Sequence, residues 1–156
     1  MDALLLALAI LCLSQPANLI RWARAPIEVL GFWRLVLAAA ALAPWAWRRR
    51  GAWKALTAAE LRLTALSGAL FFVHLWTFVY SAQRTTIASC MLAFSTHPLW
   101  TGAGARLFHG ERLRRSQLAA YAFAGAGVWA LFSAGASLGR EGLLGDAAGL
   151  ASALTF

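Results

Sequence analysis

The chain has 156 residues, of which 61% are hydrophobic and 13% charged, about half the roughly 25% charged content usual in soluble proteins. A soluble domain of this length could not bury so much apolar surface, whereas a lipid-embedded helix bundle has no need to. The net charge of +8 invites a nucleic-acid reading, yet the basic residues fall in short clusters between apolar runs and line no polar face, which argues against it.

The first apolar run extends from about Ala3 to Ile20. Only Asp2 precedes it, so the basic start of a signal peptide is missing and the run reads as a retained helix. Its second half carries Ser14, Gln15, Pro16 and Asn18. Lipid offers those groups no partner, so they are expected to face other helices or a cavity. A loop with Arg21, Arg24 and Pro26 leads to a second span, Ile27–Trp47, with Arg34 about two turns inside it. An arginine near a helix centre costs about 2.5–3.5 kcal/mol on insertion scales, so Arg34 is expected to find water or a partner on another helix.

Arg48, Arg49, Arg50 and Lys54 form a basic loop before a third span, Ala59–Gln83. His74, Trp76, Thr77 and Tyr80 lie in its second half. His74, Thr77 and Ser81 share one helical face, at i, i+3 and i+7. The stretch Thr85–Leu113 supplies a fourth span, interrupted by His97-Pro98 and closed by Arg106, Arg112, Arg114 and Arg115. An apolar span broken near its middle is where a membrane protein can build a binding site. Thr86, Cys90, His97 and Thr101 line its smaller, more polar face.

A fifth span, Ser116–Ala134, is rich in alanine and glycine (Ala119, Ala120, Ala122, Ala124, Gly125, Ala126, Gly127), the composition that lets helix backbones approach closely. Arg140, Glu141 and Asp146 follow, and the chain turns apolar again over Ala147–Phe156. That last piece is too short to cross a bilayer and reads as the opening of a sixth span, which makes the chain roughly the N-terminal half of a larger protein. The fold class is thus an all-α polytopic membrane protein with five transmembrane helices and the start of a sixth. Cys12 and Cys90 sit in apolar runs and read as packing residues; with no CxxC or HExxH spacing, no metal or other cofactor is expected.

The basic residues set an orientation. With the N-terminus inside, the cytoplasm collects nine: Arg48, Arg49, Arg50, Lys54, Arg62, Arg106, Arg112, Arg114 and Arg115. The outside collects four, Arg21, Arg24, Arg84 and Arg140, and Arg34 lies within the membrane, which accounts for all 14. At about 1.5 Å of rise per residue, Gln15 and Arg34 reach roughly 20 Å from the cytoplasmic ends, His74 about 21 Å and His97 about 16 Å. These four, with Asn18, Trp76 and Tyr80, are the candidate substrate-binding residues. Trp76, Tyr80 and Trp100 offer aromatic faces of the kind organic cations favour. No acidic residue reads as deep in the membrane, so any proton coupling would fall to the histidines.

With those residues in hand, the chain resembles the EamA repeat of the drug/metabolite transporter superfamily. The matching pieces are Asn18, Pro26 with GFWRLVLAA around Arg34, YSAQRTTIAS at Tyr80–Ser89, Pro98, LFHGERLRRSQ at Leu107–Gln117, and Gly127-Val128. GLLGDAAGLASALTF resembles the start of a second repeat, and Ala120 stands where the family usually has glycine. The resemblance implies a repeat over residues 3–135, a loop and the start of a second repeat over 136–156, and a ten-helix carrier with its substrate near the midplane. Because five is odd, the second repeat would enter the membrane inverted, which suits alternating access.

The expected function is a permease or exporter of small organic metabolites or drug-like compounds, multi-pass in the plasma (inner) membrane, working with a second repeat or a second copy. A non-transporting accessory subunit is the alternative. An intramembrane enzyme is less favoured: His74, His97 and Cys90 are the plausible reactive groups and have no acidic partner beside them in the sequence, so no catalytic residue is assigned.

Overall fold

The computed structural model describes residues 2–53, 56–110, 114–136 and 139–156, and all regular structure among them is helical. Lys54 and Arg112, both counted above in the cytoplasmic clusters, lie outside the described residues. The helices are α1 (Asp2–Ser14), α2 (Pro16–Ala23), α3 (Ile27–Arg48), α4 (Arg50–Trp53), α5 (Ala58–Arg84), α6 (Ile87–Phe94), α7 (His97–His109), α8 (Arg115–Ala136) and α9 (Gly139–Thr155).

Among the described residues, three helical stretches are long and apolar enough to cross a membrane: Ala3–Ala23, Ile27–Arg48 and Ala58–Arg84. The first joins α1 and α2 through a step at Gln15, where Pro16 opens the second piece because a proline is tolerated in the first helical turn. α5 begins with a capping box: Thr57 Oγ1 accepts from Glu60 N at 3.3 Å, and Thr57 N donates to Glu60 Oε2 at 2.7 Å. It ends at Thr85, in extended conformation, and Thr86 caps α6 by accepting from Ser89 N at 3.0 Å. The sequence RTTI is thus a two-residue corner between helices. His97-Pro98 opens α7 after a break at Ser95 and Thr96, whose hydroxyls fold back onto Leu92 O and Ala93 O, each at 2.7 Å.

Packing is uneven along α5. Residues 61–73 are exposed on every side, whereas His74, Leu75, Phe78, Val79, Ser81 and Ala82 are buried. Ala17 and Ile20 of α2 and Cys90 of α6 complete that core, with Leu30, Met91 and Phe94 packed against it. Large apolar side chains such as Leu5, Phe32, Leu66 and Phe123 face outward. On a chain without a bilayer those would be liabilities; in lipid they are the solvent-facing surface.

The close packing expected of α8 falls to α9 instead. A Cβ on Gly125 or Gly127 would meet nothing within 4 Å. On α9, Gly142, Gly145, Asp146, Gly149, Ser152 and Ala153 are all buried, and their 3- and 4-residue spacing makes one continuous stripe. That stripe lies on α5 and α6. A Cβ on Gly145 would stand 2.8 Å from Thr85 N, and one on Gly149 2.8 Å from the Ala93 Cβ and 2.9 Å from Ser81 Oγ. All three distances are shorter than a real Cβ tolerates, so a side chain at either glycine would force its neighbours to shift. Asp146, which precedes the apolar stretch Ala147–Phe156 in the sequence, is therefore buried on the packed face of a helix.

Candidate functional site

The α5–α9 seam descends as a ladder of polar contacts. At its exposed rim Arg84 pairs with Glu141, the one ion pair among the described residues. One step in, Thr85 Oγ1 donates to Asp146 Oδ1 at 2.6 Å, with Asp146 fully shielded from solvent. Below it Ser81 faces Gly149. Further down, His74 Nδ1 lies 2.9 Å from Ser152 O and 3.0 Å from Ser152 Oγ.

At the foot of the ladder stands a cluster of rings. His74 lies between Phe71, Phe78, Phe94 and Phe156, the last at 4.9 Å between centroids. His97, from α7, stacks on Phe94 at 5.3 Å and meets Phe156 edge-on at 5.3 Å. The two histidines thus share two phenylalanine neighbours although they come from different helices. A carbonyl oxygen can only accept, so the contacts of His74 Nδ1 with Ser152 O and of His97 Nδ1 with Phe94 O, at 3.3 Å, place an N–H on Nδ1 in each ring. In the neutral rings Nε2 is then the free acceptor. The Phe94 carbonyl, which Pro98 cannot use as a backbone acceptor, is the one His97 takes up.

The remaining sequence candidates lie elsewhere. Gln15 and Asn18 are exposed and bond each other, Asn18 Nδ2 donating to Gln15 Oε1 at 3.3 Å. Arg34 lines a groove of about 530 Å³ with Pro16, Leu19, Ile20, Trp22 and Leu30, between α2 and α3. The interhelical partner expected for it is absent among the described residues. Arg21, assigned by sequence to a loop, makes that kind of bond: its Nε donates to Ala82 O at 2.8 Å and its guanidinium also to Thr85 O. Trp76 lines a separate groove between α3 and α5 with Phe32, Val36 and Phe72. Tyr80 is half-buried beneath the Arg84 guanidinium, 5.2 Å from its ring centroid. Thr77 turns back onto Val73 O at 2.8 Å, while its face-mates His74 and Ser81 meet α9.

Two side chains of this seam, Asp146 and Ser152, were not among the sequence candidates. The signal that marks them is the period of small residues in GREGLLGDAAGLAS, the same pattern that drew attention to α8. Read at 3- and 4-residue steps, it places an aspartate and a serine in the middle of a helix-packing stripe.

A bundle of apolar helices, outward-facing leucines and tryptophans, and a polar seam held inside is the architecture of a multi-pass membrane protein. The sequence model of the EamA-like transporter family matches residues 2–133, and the chain belongs to that family, a repeat of the drug/metabolite transporter superfamily. Comparison with curated proteins and with solved structures finds no match.

Proposed function

We propose that the chain forms one five-span repeat of a carrier for small organic metabolites or drug-like compounds in the plasma (inner) membrane, with its N-terminus cytoplasmic. α1–α2, α3, α5, α6–α7 and α8 supply the spans. Residues 3–135 make the repeat, and 136–156 lead into a second. The basic residues clustered after α3 and α7 support the orientation.

The observation that carries this reading is the meeting of His74 and His97 on Phe94 and Phe156, at the inner end of a polar seam. Aromatic faces beside two imidazoles suit a flat or cationic organic compound, which the rings hold by stacking or cation–π contact and a free Nε2 orients. Gln15, Asn18 and Arg34 complete the proposed binding set from a second direction, with Trp76 and Tyr80 as further aromatic contacts. All three polar side chains are exposed on apolar spans, where lipid cannot satisfy them. A second repeat, or a second copy, seated against α1–α3 would satisfy them and enclose the cavity.

Flux of labelled organic cations and neutral aromatic metabolites into proteoliposomes tests the reading. His74→Ala and His97→Ala are each expected to raise the half-saturating concentration at least tenfold while leaving insertion intact. Flux unchanged by both substitutions would overturn the site; no flux of any panel compound in wild-type protein reconstituted with its second repeat would overturn the carrier.

A further inference from the structure

Arg34 stands seven residues inside α3, about 10 Å below the turn that joins α2 to α3. Pro16 stands seven residues before the end of α2, at the same level, and the two line one groove of about 530 Å³. Leu19, Ile20 and Leu30 wall it above them, and Trp22 lies at its rim. The groove is thus apolar along its length and cationic at its inner end.

An arginine keeps its charge even there, so it needs an anion or water. Among the described residues, no hydrogen bond or ion pair reaches the Arg34 side chain. Glu28, on the same helix, lines the separate groove that faces α5. Glu60 is engaged in the capping box of α5, Glu141 is paired with Arg84, and Asp146 takes its hydrogen bond from Thr85. Arg21, on the neighbouring α2, shows the contrast, since its donors are met by the carbonyls of Ala82 and Thr85.

We propose that the α2–α3 groove binds a small organic anion, its carboxylate on the Arg34 guanidinium and its apolar body against Leu19, Ile20, Leu30 and Trp22. A guanidinium presents a planar fork of N–H donors that meets a carboxylate in two parallel hydrogen bonds. An organic cation is repelled from the inner end, and a neutral compound leaves the guanidinium without its counter-charge. A phospholipid fits the wrong way round: its phosphate belongs at the rim near Trp22, which would lay its acyl chain on the charge. The volume lies within the roughly 300–1,000 Å³ typical of small-molecule sites.

For the carrier proposed above, on which this use of the site rests, the groove narrows the substrate class. It selects flat or apolar compounds that bear an acidic group, and disfavours cations.

Binding can be read without transport. Naphthoate, phenylbutyrate and octanoate, each beside its own amide, are titrated into the purified protein in phosphatidylcholine nanodiscs, with empty nanodiscs correcting for partition into lipid. At least one acid is expected to bind saturably, about tenfold or more tighter than its amide, with Arg34→Gln bringing the pair to within about twofold. Leu30→Trp fills the groove but keeps the guanidinium, and is expected to weaken acid and amide together. Saturable binding of none of the acids, or an acid preference that persists in Arg34→Gln, would overturn the proposal. So would wild-type affinity in Leu30→Trp. Retention of added phosphatidylglycerol by the wild type and not by Arg34→Gln would assign the arginine to lipid instead. Acid binding without flux would leave this site standing and remove the carrier reading; flux without any acid preference would do the reverse.

Discussion

Asp146 and Thr85 are joined by a 2.6 Å hydrogen bond across 61 positions of sequence, with both side chains shielded from solvent. Thr85 is the extended corner residue between α5 and α6, and it is held on three sides. α9 supplies the carboxyl oxygen and the bare Gly145 against its amide, while Arg21 of α2 reaches its carbonyl. One residue of a short turn therefore fixes how three helices meet.

Removing the hydroxyl should loosen that junction. Thr85→Val keeps the shape but leaves Asp146 Oδ1 without its donor, a cost of about 1–3 kcal/mol for an unsatisfied buried group. Thr85→Ser should restore most of it. Reversible unfolding in mixed detergent, with helicity as the signal, measures both; equal stability of the valine and wild-type proteins would refute the assignment.

Gly149 should be intolerant of even one methyl group. Its Cβ would collide with Ala93 Cβ and Ser81 Oγ, and overpacking of this kind typically costs about 1–3 kcal/mol. Gly125→Ala, on α8, has open space and should be neutral or slightly stabilising through helix propensity. Thermal unfolding midpoints of the two variants should separate, with Gly149→Ala well below wild type. Coincident midpoints would mean that α9 is not seated on α5 as described.

Two arginines can be told apart. Arg21 bridges α2 to the carbonyls of Ala82 and Thr85, whereas Arg34 lines an open groove. Arg21→Ala should lower the unfolding midpoint by several degrees, and Arg21→Lys should recover only part, since an ammonium cannot reproduce the fork. Arg34→Ala should leave the midpoint near wild type and act on substrate flux. The opposite ranking would exchange their roles.

Orientation is open to direct labelling. In a background carrying Cys12→Ser and Cys90→Ala, an impermeant thiol reagent applied to intact cells should miss Gly51→Cys and modify Arg140→Cys. The reverse pattern would invert the proposed topology.

The apolar runs, their charged punctuation and the His97-Pro98 break were legible in the residues because they are local. A helix in lipid must satisfy its own backbone and present apolar side chains, and both demands are written into consecutive positions. The family followed from the same local pieces, in order, and the family match spans residues 2–133. What the sequence could not order was the ranking of neighbours. Gln15, Arg34, His74 and His97 looked equivalent by depth, but depth along a helix says nothing about which face meets another helix. Only tertiary packing brought His74 and His97 to common rings and set Trp76 and Arg34 in separate grooves, while Gln15 and Asn18, three residues apart, bond each other locally. It also moved the tight seam from α8 to α9. Alanine and glycine make close approach possible, but a partner must arrive for it to occur, and α5 meets the face of α9 that carries Gly145, Asp146 and Gly149. Asp146 shows the difference most clearly. In sequence it is an acid just after a polar loop; in the fold, two glycines draw its helix so close to α5 that water is shut out and a neutral threonine becomes its partner.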